Sequence, residues 1–118
     1  MLKLNHKNPD VWKISLKLIK LLYELTDQYP KTEIYGMVSQ IRRAAVSVSL
    51  NIAEGASRKT QAERKRFYEI SRSSLVEIDT QMEISLLLDY VNSSGIPDID
   101  ETMNHLFAKI SNLILKSH

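Results

Sequence analysis

Residues 33–60 read EIYGMVSQIRRAAVSVSLNIAEGASRKT. Ile34, Met37, Val38, Ile41, Ala45, Val48 and Ile52 recur at intervals of three and four, so they share one face of a helix. Thr32 stands where an N-cap would be. Gly55 stands where a C-terminal cap would be. The pattern predicts a helix near 33–55 with one apolar face that must be buried against other elements.

The flanking sequence supplies three more such segments. Asn8 is an expected N-cap with Pro9 at the first helical position, and Pro30 stops that segment near Tyr29. Between them Val11, Ile14, Leu18, Leu21, Leu22 and Leu25 follow helical spacing. Thr60 followed by Glu63 forms a capping box for a third helix running to about Asn92, or roughly 50 Å at 1.5 Å per residue. Its expected buried stripe is Phe67, Ile70, Ser74, Leu75, Ile78 and Met82. Asn92-Ser93-Ser94-Gly95 and Pro97 break the chain, and Asp98 and Glu101 open a fourth helix. Met103, Leu106, Phe107, Ile110, Leu113 and Ile114 are its apolar residues. No segment shows strand alternation. The expectation is an all-α, antiparallel up-down-up-down four-helix bundle, one domain over residues 1–118, with helices near 9–29, 33–55, 60–92 and 98–116. Trp12 and Tyr35 are expected as packing anchors.

Composition agrees and excludes several functions. The 118 residues hold 43% apolar and 25% charged side chains, with only three Gly and three Pro. The absence of cysteine removes disulfides, thiolate catalysis and cysteine-based zinc sites. No apolar run approaches the roughly 20 residues of a membrane span, and MLKLNHKNPD has no apolar core of a signal peptide. A cytoplasmic protein without membrane contact is expected.

The net charge of +2 hides an asymmetry. Residues 1–41 carry +2, residues 42–72 carry +5 and residues 73–118 carry −5. All six arginines lie in the middle block. Arg58, Lys59, Arg64, Lys65 and Arg66 surround the start of the third helix, where the helix dipole is already positive. Cations at a helix N-terminus make a candidate anion site, and RNA or DNA is the anion it suits. The competing reading is a solvated basic end that pairs with an acidic surface of another subunit.

A polar stripe interrupts the second helix. Gln40, Arg43, Ser47, Asn51 and Glu54 fall within about 80° at 100° per residue. Ser and Asn are poor helix formers, so their choice suggests close approach of another helix. Ser73 and Glu77 form a second polar pair, one turn apart, that could face the stripe. A buried network fixing register or subunit packing is the preferred reading, and a ligand pocket the alternative.

Glu33–Thr60 closely resembles the signature of a four-helix-bundle family that includes proteins encoded in intervening sequences of bacterial 23S ribosomal RNA. The motif is Gln-x-x-Arg-Ala followed by Ser-x-x-x-Asn-Ile-Ala-Glu-Gly, here Gln40 to Gly55. The upstream DVWK and downstream SRSSLVEIDTQ extend the resemblance from about Val11 to Leu115. It implies an antiparallel bundle assembled into a ring, commonly a homopentamer. A related branch, the accessory proteins of diversity-generating retroelements, is a basic pentamer that binds nucleic acid and a reverse transcriptase. The resemblance brings no active-site residues with it.

Catalytic and metal chemistry find no constellation. His6, His105 and His118 are scattered, and the Glu101/His105 pair has no second Glu-x-x-His to complete a di-iron site. Ser47 has no neighbouring histidine. Catalytic residues, metal and cofactor are all expected to be none. The expected function is a non-enzymatic oligomer that binds RNA or DNA through its arginine-rich end. The alternative is a structural or adaptor ring that binds a protein partner without nucleic acid.

Overall fold

The computed structural model describes residues 1–4 and 10–117; the expected Asn8–Pro9 cap, His6 and His118 lie outside them. The described residues form four α-helices: α1 (Asp10–Thr26), α2 (Met37–Ser57), α3 (Gln61–Leu87) and α4 (Pro97–Lys116). No strand occurs among the described residues.

The local signals explain three of the four starts. Thr60 is extended, and its Oγ1 accepts the Glu63 N–H at 3.1 Å, the first half of a capping box. Pro97 takes the first turn of α4, with Asp98 and Asp100 at the positive end of its dipole. Asp10 plays that part in α1. The start of α2 corrects the reading from Thr32. Lys31–Glu33 form a single 3-10 turn directly after Pro30, and Gly36 interrupts the backbone before Met37. Thr32 and Ile34 therefore precede the helix, and both are exposed.

The helix ends also differ from expectation. Gly55 does not cap α2, which continues to Ser57. α3 closes at Leu87 rather than near Asn92, so it spans roughly 40 Å at 1.5 Å per residue. There the Tyr90 N–H reaches the Ser85 carbonyl at 2.9 Å, and Asp89 adopts the left-handed φ of 60°.

Side-chain pairings establish the topology. Between α2 and α3, Gln40 meets Gln81, Ser47 meets Ser74 and Ser71 donates to the Val48 carbonyl, so partner numbers fall as the α2 numbers rise. Arg42 with Thr26 and Ser49 with Ser15 give the same sense for α1 and α2. Arg72 reaches Ser111 while Asp79 shares a groove with Asp100, so α3 and α4 are antiparallel too. Lys109 approaches Asp10 at 3.9 Å, and Leu21 and Gln28 share a groove with Asp98, closing α4 onto α1. The bundle runs up-down-up-down. The α2–α3 turn shares one end with the start of α1, and the other two connections share the opposite end.

Leu18, Leu22, Ile41, Ile52, Leu75, Ile78, Leu106 and Ile110 form the inaccessible centre. The α3 stripe departs from expectation. Ile70 is exposed and Phe67 half-buried, whereas Tyr68, Ser71, Gln81 and Ser85 are buried. Small side chains let α2 and α3 approach closely, so serines occupy positions where bulky residues would hold the backbones apart. Trp12 packs against the core as expected, but Tyr35 is 97% exposed and is no packing anchor among the described residues. Phe107, expected in the core, is exposed on α4.

Candidate functional site

The turn from α2 to α3 is short. Arg58 and Thr60 are both extended, which reverses the chain and brings Arg58 and Lys59 beside the first turns of α3. Arg58, Lys59, Arg64, Lys65 and Arg66 thus lie at one end of the bundle. They do not play equivalent parts.

Two of the five lock the turn. Arg58 Nη2 bonds Glu54 Oε2 at 2.9 Å, one turn back on α2, and its guanidinium lies 4.8 Å from the Phe67 ring centroid. Arg64 Nη1 donates to the carbonyls of Arg58 and Lys59 at 3.0 and 2.9 Å, satisfying oxygens that the end of α2 leaves unpaired. Glu63 is engaged as well: its backbone N–H and its Oε1 both meet the Thr60 hydroxyl at 3.1 Å. Both carboxylates nearest the turn, Glu54 and Glu63, therefore already have partners.

The side chains of Lys59, Lys65 and Arg66 have no hydrogen-bond or ion-pair partner among the described residues. Lys59 and Arg66 are exposed and Lys65 is half-buried. The remaining arginines point elsewhere. Arg42 is tied to Asp27 at 2.8 Å and stacks on Tyr23 at the opposite end. Arg72 bonds Ser111 on the α3–α4 side. Arg43 is exposed on α2. Behind the turn, burial pushes the Tyr68 hydroxyl above its ordinary pKa, with the Arg64 charge opposing the shift.

The polar stripe is partly a seam and partly a surface. Gln40 accepts from Gln81 Nε2 at 3.1 Å, Ser47 lies 3.0 Å from Ser74, and Asn51 Nδ2 donates to the Ser47 carbonyl and hydroxyl at 2.8 and 3.1 Å. Arg43 and Glu54 are exposed, so the expectation that both are buried does not hold within the single chain. Ser73 and Glu77 are also exposed. Their expected part on α3 falls to Ser74 and Gln81, displaced by one and four residues. One residue is 100° of helix, enough to exchange seam for solvent. Tyr29 adds a contact from outside the stripe: its hydroxyl donates to Ser85 at 2.7 Å beside Met82. A polar residue just past a helix end, far in sequence from its partner, carries no local signal of that contact.

Among the described residues, no group of three or more His, Asp or Glu side chains could hold a metal ion, and His105 is exposed. Among the same residues, no helix is long and apolar enough to cross a membrane.

No curated protein matches the chain. A family model described as 23S rRNA-intervening sequence protein matches residues 7–112, which takes in all of α1, α2 and α3 and most of α4. The fold, the Gln40–Gly55 motif and this match agree, and the chain belongs to the 23S rRNA-intervening sequence protein family.

Proposed function

We propose that this protein is a non-enzymatic, ring-forming bundle that holds RNA or DNA against the α2–α3 end of each subunit. The observation that carries the reading is the division of labour at that end. Arg58 and Arg64 fix the turn, Glu54 and Glu63 are engaged, and the side chains of Lys59, Lys65 and Arg66 remain without acidic partners among the described residues. The fixed turn sets their backbone positions, so meeting a phosphate orders the three side chains and not the loop that carries them.

One such patch is weak at physiological salt, so the reading needs repetition. A ring presents the cluster once per subunit, and linked weak sites act by avidity. Exposed Tyr35, Leu50, Leu87 and Leu115 support self-association, because each leaves apolar surface for another copy to cover. A homopentamer is the number the family resemblance suggests. Phosphate contacts carry little sequence information, so the ring discriminates weakly among sequences. A cytoplasmic setting is part of this proposal.

The test is the absorbance ratio at 260 and 280 nm of the native assembly, purified without nuclease or a high-salt wash. A ratio well above that of protein alone supports the proposal. A protein-like ratio together with a co-purifying protein favours the adaptor alternative.

A further inference from the structure

Two grooves on opposite sides of the bundle carry opposite charge. The first lies between α1 and α2; it is lined by Tyr23, Tyr35, Val46 and Leu50, together with Arg42 and Arg43. The second lies between α3 and α4, walled by Val76, Met103 and Phe107, with Asp79 and Asp100. Among the described residues, the side chains of Arg43, Asp79 and Asp100 have no hydrogen-bond or ion-pair partner. The neighbouring Arg42 is held back by Asp27, Thr26 and Tyr23, so Arg43 is the free cation of the first groove. Arg72 bonds Ser111 and stands over Phe107 rather than neutralising Asp79.

The grooves also match in height. The pairs Gln40–Gln81 and Ser47–Ser74 are two rungs of the α2–α3 seam. Arg43 lies between those rungs on α2, and Asp79 lies between them on α3. Lower down, the Val48–Ser71 contact brings Leu50 near the level of Arg72, which stands over Phe107. Copies related by rotation about an axis along the bundle are not displaced along it, so groups at equal height meet. Cation then faces carboxylate, and Leu50 faces the level of Phe107.

We infer that the α1–α2 groove of one copy docks on the α3–α4 groove of the next, with Arg43 opposite Asp79 and Asp100. This rests on the ring reading above and names the contact that builds it. The contact uses two different surfaces, so it is heterologous and repeats from copy to copy. Tyr35 is 97% exposed and Leu50 60%, and they become the apolar anchors of the joint. Nucleic acid is a poor occupant of either groove: the first offers one free cation among apolar walls, and the second repels phosphate.

The experiment is multi-angle light scattering on four full-length chains: wild type, Arg43→Glu, Asp79→Lys with Asp100→Lys, and all three changes together. Circular dichroism verifies that each stays helical. Wild type is expected at a multiple of 13.6 kDa, each charge-reversed chain at or near 13.6 kDa, and the combined chain back at the wild-type mass. A wild-type mass of 13.6 kDa overturns both this contact and the ring. An oligomeric wild type whose mass the single-groove reversals leave unchanged overturns this contact alone and leaves the ring standing on another face. Dissociation without restoration in the combined chain overturns the pairing of Arg43 with the two aspartates.

Discussion

A Cβ built on Gly55 stands 2.6 Å from Cε1 and 2.8 Å from Cδ1 of Tyr68, closer than side chains pack. Gly55 is buried inside α2, and the ring of Tyr68 on α3 occupies the space a side chain there would need. The glycine is there for contact, not for a left-handed turn.

Gly55→Ala is therefore expected to destabilise the bundle. Alanine gains about 1 kcal/mol of helix propensity over glycine. Overpacking typically costs about 1–3 kcal/mol, and Tyr68, only 7% exposed, cannot swing its ring into solvent without losing its own burial. The second effect wins. Urea denaturation should show a lower midpoint for Gly55→Ala, and the loss should shrink in a Tyr68→Leu background. An unchanged midpoint would contradict the packing argument.

This glycine also shows where the sequence is legible and where it is not. The Thr60–Glu63 cap is a contact between residues three apart, so spacing alone reveals it. Pro97 and the acids of α4 act through the chain's own backbone and are equally readable. Gly55 looks the same in sequence whether it caps a helix or receives a ring from another one. The α3 stripe misleads for a related reason. Ser74, Leu75, Ile78 and Met82 are buried as expected, but where hydrophobicity points to Phe67 and Ile70 the close seam with α2 selects Ser71 and Ser85. The usable signal is a spacing of small residues on both partners, Ala44, Ser47 and Gly55 against Ser71 and Ser74. Of the basic cluster, the sequence supplies position; that Arg58 and Arg64 spend their charge on the turn follows only from geometry.

Tyr29 links the loop after α1 to α3 by donating to Ser85. Tyr29→Phe removes that hydrogen bond, while Ser85 still donates to the Gln81 carbonyl at 2.8 Å. The expected cost is about 1 kcal/mol, read from the urea midpoint at neutral pH.

The same residue sets a pH dependence. Burial pushes the Tyr29 hydroxyl above the ordinary tyrosine value, with the Ser85 hydrogen bond pulling the other way. Since the folded-state value is the higher, the unfolded chain loses this proton first. Its contribution is complete below about pH 10 and falls as pH rises toward the folded-state value. Tyr68 shifts in the same direction. Tyr29→Phe should flatten part of the stability loss above about pH 10, and an identical alkaline slope in both chains would refute this.

Asp89 holds a φ of 60° just past the end of α3. The left-handed conformation costs an L-residue roughly 1–2 kcal/mol, and glycine's larger unfolded-state freedom returns part of any gain. Asp89→Gly is expected to raise the thermal midpoint, by up to about 1 kcal/mol in stability. A lower midpoint would show that the Asp89 side chain contributes more than its backbone costs.

The central claim is that the free cations of the α2–α3 turn meet phosphate. Its most direct measurement is the salt dependence of binding to a labelled structured RNA, by fluorescence anisotropy, for wild type and for Lys59, Lys65 and Arg66 all changed to Gln. Each phosphate neutralised adds about 0.7–0.9 to the slope of log affinity against log salt. The account predicts binding by wild type at about 50 mM salt, with a flatter slope and uniformly weaker binding in the triple variant at unchanged oligomer mass. No binding by wild type at that salt, or the same slope in both proteins, would contradict it.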